Sequence, residues 1–284
     1  MSAISPGTAT LERAKTLPVW WPLRAWLGVE ALFGLGASLA IFLDPGGSLA
    51  NFAWPIKPDV MAATLGAFYL ASLFSLAPSV FITLWQNVRV IVLPGAIFTT
   101  VLLLATVLHW DRFTASLPFY IWLASYVLPP PIFAAMYWWH QCRSRPVGAD
   151  VEHPLPGALR AFLFVNGVAL TAFAAVAFVV PSILQQIAPW TFTPLTTRVF
   201  SGFIVLVGLF QVGMAWENDL IRARIAAPML VAFPFAIAIQ LARFSAEVRW
   251  TNIALWVFLI DIILIALVCL AVWMQASGRR GRAA

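Results

Sequence analysis

Two carboxylates, Glu30 and Asp261, stand deep inside long apolar runs, and they are the residues best placed to do chemistry. Glu30 lies seven residues into a run over 23–43, and Asp261 nine residues into a run over 252–274. At 1.5 Å per residue they sit about 10 and about 13 Å from opposite boundaries. In a hydrocarbon core of about 30 Å their depths differ by roughly 7 Å. A charge at such depth costs about 2.5–3.5 kcal/mol. No Lys or Arg is placed deep enough to pair with either acid. Each is then protonated, solvated by water or matched by a cation from outside the chain. Both are expected to face the protein interior, where one cavity exposing the two would handle a proton, an ion or a solute. The competing expectation is a neutral acid hydrogen-bonded to a neighbouring helix.

Proline supplies the second candidate. Pro129, Pro130 and Pro131 fall in the middle of a run over 118–139. Three consecutive prolines remove three backbone donors and crowd the preceding turn, so this helix is expected to break or kink there. The carbonyls left over can line a cavity or hold an ion. Pro78, Pro94, Pro228 and Pro234 also lie inside runs, where a packing kink explains them.

Other chemistry finds little support. His109 and His140 are expected at opposite boundaries, about 30 Å apart, too far to share one haem iron, and His153 falls in a loop. Cys142 and Cys269 have no partner spacing for a disulfide framework or a metal. Gln86-Asn87 and Glu217-Asn218-Asp219 read as helix-capping turns, with substrate-head-group contact as the alternative. The phosphate-binding loop, dinucleotide fingerprint, zinc-protease and nucleophile-elbow patterns are missing. No cofactor, metal or catalytic residue is therefore expected, and the chain is not read as an enzyme.

Composition names the medium that holds these residues. Of 284 residues, 62% are apolar or aromatic and 10% charged, against about 25% charged in soluble domains. A water-soluble enzyme, a disordered chain and a disulfide scaffold are excluded. The net charge of +6 does not indicate nucleic acid, because the bases flank apolar runs rather than forming a stripe. The lipid bilayer is the expected partner, together with an unidentified small molecule or ion. Oligomeric state is not legible.

The expected fold is all-α, a polytopic membrane protein with eight transmembrane helices near 23–43, 60–82, 89–109, 118–139, 159–181, 197–216, 225–241 and 252–274. The seventh is the shortest. With the N-terminus inside, 12 Lys and Arg fall on cytoplasmic segments and 5 on outer ones, accounting for all 17. Both termini are then cytoplasmic, in a bacterial inner (plasma) membrane. That origin rests on the preponderance of Arg over Lys. Ten tryptophans, Trp54 and Trp190 among them, fall near boundaries as an aromatic belt would.

The eight runs form a 4+4 parallel repeat. Leu23-Arg24-Ala25-Trp26-Leu27 recurs as Leu159-Arg160-Ala161-Phe162-Leu163, an offset of 136. The same offset joins Phe42 to Phe178, Trp54 to Trp190, Pro58 to Pro194 and Gly66 to Gly202. Shifted offsets join Trp85 to Trp216 and Pro94 to Pro228. Such coincidences of Trp, Pro, Gly and Arg mark a duplication. Four spans per copy make the relation parallel, about an axis along the membrane normal. The divisions are a tail over 1–22, a first repeat over 23–139, a linker over 140–158, a second repeat over 159–274 and a basic tail over 275–284. Ser38-Leu39-Ala40 resembles a signal-cleavage site, but cleavage there would destroy the first copy. Asn166 stands at the repeat position of Glu30, keeping polarity without charge, and joins Glu30 and Asp261 as the candidate intramembrane polar site. The matched Trp-to-Pro spacing before the second helix of each copy reads as a helix-start element or as the rim of an outer mouth.

These features favour a small-solute or ion transporter. The alternative is a non-catalytic structural or partner-binding membrane subunit. A lipid-modifying membrane enzyme ranks last, since no nucleophile or acid–base pair faces one bilayer surface.

Overall fold

A computed structural model describes residues 17–280, and these residues are all-helical apart from turns and two isolated bridges. Most of the N-terminal tail, with Arg13 and Lys15, and the C-terminal Arg282 lie outside the described residues. The main helices are α1 (Trp21–Ser38, continued by a π turn Leu39–Leu43), α2 (Asp59–Ser79), α3 (Arg89–Leu108), α4 (Leu117–Val127), α5 (Pro129–Gln141), α6 (Gly157–Val179), α7 (Pro194–Glu217), α8 (Ala227–Arg243) and α9 (Ile253–Arg280). Seven helical segments are long and apolar enough to cross a membrane, with α4 and α5 together forming one of them. The expected eighth, over 225–241, is α8, a helix of 17 residues. It is shorter because residues 224–226 form a turn and Pro228 stands in the first turn of the helix. At 1.5 Å per residue it reaches about 26 Å, slightly less than the hydrocarbon core.

Local sequence explains where these helices start and stop. Prolines occupy the first turn of α1, α4, α5, α7 and α8, where a missing N–H costs nothing because it would have no helical partner. Ser116 caps α4 by accepting from the Phe119 N–H at 3.3 Å. Thr193 and Thr196 form a capping box at α7. Asn218, at φ 52°, ends α7 in the left-handed conformation that asparagine tolerates.

The helices α2 and α7 are largely enclosed, whereas α1, α6 and α9 turn most of their surface outward. Around this centre, α2 lies between α1 and α8, and α7 lies between α6 and α3. Phe68 of α2 stacks on Phe203 of α7 and on Phe233 of α8, with centroids 4.8 and 4.0 Å away. Lipid offers little hydrophobic drive for helix association, so close backbone approach matters. A Cβ on Gly167 of α6 would lie 2.6 Å from the Gly208 carbonyl of α7, and one on Gly208 would lie 2.7 Å from the Gly167 carbonyl. A Cβ on Gly66 would meet the Phe42 backbone nitrogen at 2.5 Å, where α2 crosses the π turn.

Two sequence expectations change on packing. Trp54 and Trp190 are buried in folded-back loops rather than set in a lipid-facing belt. Trp54 packs 4.8 Å from Trp122, and Trp190 directs its N–H at the Met61 sulfur. His140 is fully buried rather than interfacial. It stacks on Trp85, accepts from the Trp20 N–H at 3.1 Å through Nε2 and donates from Nδ1 to the Met136 carbonyl.

Candidate functional site

The α4–α5 junction shows how the sequence shapes one side of a cavity. Pro129, Pro130 and Pro131 form the first turn of α5, and Leu128, between α4 and α5, keeps right-handed helical backbone angles, so the two helices run on as one span. The Leu128 N–H still reaches Ala124 at 3.2 Å, and Ile132 reaches Leu128 at 3.4 Å. The three prolines cannot serve the carbonyls of Ser125, Tyr126 and Val127, which lose their helical partners. The side chains of Ser125 and Tyr126 line a cavity of about 480 Å³ between α1, α2, α3 and α4.

Glu30 enters this cavity from α1. Tyr69 of α2 and Tyr126 of α4 face it, their hydroxyls hydrogen-bonded to each other at 2.5 Å. The Ser72 hydroxyl donates to the Tyr69 carbonyl at 2.7 Å, and that of Ser125 to the Trp122 carbonyl at 2.8 Å. The Trp122 indole N–H donates to the Thr106 hydroxyl at 2.9 Å. The Ser72, Ser125 and Trp122 donors are therefore committed elsewhere, and of the two tyrosine hydroxyls one donates within the pair while the other keeps its proton. The Glu30 Oε1 atom is buried without a hydrogen-bond partner, and so is the Trp26 indole nitrogen one turn earlier on α1. No Lys, Arg or His lines the cavity. Asn51, Leu117 and Pro118 mark its far rim, and the exposed Leu32 and Leu117 stand at its edge between α1 and α4.

Asp261 and Asn166 lie elsewhere. Asp261, half-buried on α9, lies near the Asn166 side chain of α6. Asn166 donates to Gln211 of α7 at 3.2 Å, and Gln211 donates to the Val207 carbonyl at 3.3 Å. None of the three lines the Glu30 cavity. The expectation of one cavity exposing both acids is corrected: Glu30 lines this cavity between α1 and α4, and Asp261 stands apart from it near α6. Among the described residues, no group of three or more His, Cys, Asp or Glu side chains gathers as a metal site.

A third polar cluster was missed from sequence. Glu217 at the end of α7 receives both Nε and Nη2 of Arg89, the first residue of α3, and all of it is buried. Arg222 approaches the same carboxylate at 3.6 Å. Arg89 also donates to the Arg145 carbonyl at 2.8 Å, and Arg222 to the carbonyls of Ala149 and Asp150 at 2.8 Å each. Asp219 caps Ile221 and Arg222 and also accepts the N–H groups of Glu152 and His153. The turn does cap a helix, but its acids chiefly hold the linker against the bundle. Only the coincidence of a charge at two run boundaries hinted at this.

In comparisons with protein-family models, curated proteins and solved structures, none matches the chain.

Proposed function

We propose that the chain is an eight-span membrane protein of two parallel four-helix halves that binds a small solute in the Glu30 cavity and moves it across the bilayer. The observation that carries this reading is the cavity of about 480 Å³ with a buried, unpartnered carboxylate oxygen. Volumes of about 300–1,000 Å³ suit small-molecule ligands. An intramembrane carboxyl without a partner in the chain is costly unless it serves a ligand or a proton.

Matched hydrogen bonds support the two halves. Arg24 donates to the Val80 carbonyl at 2.7 Å, and Arg160 to the Ala215 carbonyl at 3.0 Å. Val19 donates to Thr83 and Trp85 to Leu17, and in the second half Leu155 donates to Asn218 and Leu220 to His153. These pairs favour equating Trp85 with Leu220, in place of the Trp216 suggested by sequence. The packing is reciprocal, since α2 lies on α8 and α3 on α7, so the second helix of each half meets the third of the other. A rotation of about 180° around the membrane normal is the expected relation.

The charge asymmetry supports cytoplasmic termini, as Arg89, Arg145 and Arg222 meet at one end of the bundle. Reporter fusions after Ala50, Ala115, Ala188 and Ala246 then report an extracytoplasmic location. A cytoplasmic signal from two of them overturns the orientation.

Flux of a panel of small solutes into proteoliposomes tests the transport reading. Uptake that depends on the protein and falls when Ala37→Leu fills the cavity supports it. A panel with no protein-dependent uptake leaves the structural-subunit reading, which the buried Arg89–Glu217 clasp favours.

A further inference from the structure

We infer that the Glu30 cavity is a binding site for an amphipathic organic cation, an ammonium or phosphonium group carried on an apolar body. The inference rests on the cavity being a ligand site and names the class of ligand.

The lining sets three requirements. It contains one carboxyl, Glu30, and no basic side chain, so the only formal charge it can offer is negative. The Glu30 Oε1 atom has no hydrogen-bond partner, while the Tyr69, Tyr126 and Trp122 polar groups are engaged with each other or with Thr106. The serine hydroxyls and the Trp122 indole of the lining are thus engaged, one tyrosine O–H is left, and the lining omits a counter-charge for the carboxylate. A buried charge lacking its partner is the costly arrangement, and a bound cation supplies the missing half.

Aromatic rings form the second requirement. Phe52, Tyr69, Phe98, Trp122 and Tyr126 all line the cavity with Glu30. Aromatic faces attract a desolvated cation by about 2 kcal/mol or more in favourable cases, without asking for hydrogen bonds from it. An anion would meet the same faces and the carboxylate unfavourably. A neutral polar solute would find few free donors.

The third requirement is an apolar body. The edge of the cavity between α1 and α4 carries the exposed Leu32 and Leu117, apolar side chains suited to lipid. A ligand entering over that edge partitions into the bilayer first, then turns its charged end to Glu30. The ammonium of a lipid headgroup shares this chemistry. A free cation is the better fit, because Glu30 lies about 10 Å inside the nearer boundary, below the level of headgroups.

The test uses the full chain in phosphatidylglycerol nanodiscs, with methyltriphenylphosphonium as the probe. Triphenylphosphine oxide is its neutral counterpart of similar shape, and tetraphenylborate its anionic control. Quenching of tryptophan fluorescence and calorimetry read the affinities. The phosphonium is expected to bind at least tenfold more tightly than the oxide, with no saturable binding of the borate. Glu30→Gln should weaken phosphonium binding at least tenfold and leave the oxide unchanged. Equal binding of phosphonium and oxide, or equal phosphonium binding by wild type and Glu30→Gln, overturns the inference. If Glu30→Gln does not purify folded, Ala37→Leu fills the cavity without touching the carboxyl, and phosphonium binding unchanged in that variant also overturns it. Competition by phosphatidylethanolamine added to the nanodiscs assigns the site to a headgroup ammonium, and its absence assigns it to a free cation. Cation binding without flux removes the transport reading alone. Flux of a neutral solute unaffected by Glu30→Gln removes the cationic class alone.

Discussion

Glu30 and Asp261 both stand between helices of the bundle, and their polar surroundings differ. Asp261 lies near Asn166, which donates to Gln211, which donates to a backbone carbonyl. Glu30 lines an open cavity with Tyr126 and keeps one oxygen unpartnered. A satisfied network in a low-dielectric interior fixes helix positions. An unsatisfied carboxyl weakens the fold unless something else completes it. The difference separates a polar contact with partners from one without on hydrogen bonding alone, although both acids look alike in the sequence.

The buried clasp between Arg89 and Glu217 marks the upper end of this comparison. Its carboxylate is charged, buried and matched by guanidinium groups from α3 and from the turn after α7. Glu217→Gln leaves Arg89 buried with half its partner. A loss of about 3–5 kcal/mol is expected, as for other broken buried pairs. Thermal unfolding followed by size-exclusion recovery in detergent measures it. A variant as stable as wild type would mean that the clasp does not anchor the linker.

Next come apolar substitutions in the two polar contacts. Gln211→Leu removes the acceptor of Asn166 inside a closed site, and about 1–3 kcal/mol should be lost. Glu30→Leu removes no hydrogen bond to Oε1, so stability should hold or rise while cation binding disappears. Equal destabilisation by the two variants would erase the distinction between the contacts. Double-mutant cycles sharpen it further. Asn166 and Asp261 should couple by about 0.6 kcal/mol, the average for such pairs in membranes, whereas Glu30 and Tyr126 should show no measurable coupling in the empty protein.

How much of this could be read in the sequence depends on the range of the interaction. Glu30 and Asp261 were visible because a carboxyl inside an apolar run is rare at any position. The loss of helical hydrogen bonds before Pro129 was visible because proline acts on its own helix. Asn166 was legible only through the repeat. The Arg89–Glu217 pair was not, since it joins residues far apart in the chain that each look like an ordinary boundary charge. The burial of His140, Trp54 and Trp190 was hidden for the same reason. Their positions at run ends are compatible with lipid, and only the folding back of the loops takes them inside. Lateral packing also decides which acid gains an amide neighbour, and hydropathy carries no lateral information.

The smallest expected effect lies at the far ends of α1 and α6, which differ again. The Phe42 carbonyl, in the π turn after α1, accepts directly from Arg243 at 2.6 Å. The Phe178 carbonyl of α6 accepts from Arg198 at 3.0 Å, and Arg198 is in turn held by His109 at 2.6 Å. An arginine keeps its charge at any working pH. A histidine can accept from Arg198 only while neutral. Burial and the neighbouring Arg198 hold His109 below its ordinary value, with Asp111 opposing and Arg112 adding to the effect. The folded state therefore binds fewer protons at this site than the unfolded state. Its contribution is fully present above the ordinary histidine value of about 6.5, and is lost as pH falls through the lower folded value. Melting temperatures between pH 7.5 and pH 5.5 should fall more steeply for wild type than for His109→Gln, whose amide oxygen still accepts from Arg198 but does not titrate. His140 and His153 remain in both proteins, so the difference in slope reports His109. A slope unchanged by His109→Gln would show that the end of α6 is held as independently of pH as the end of α1.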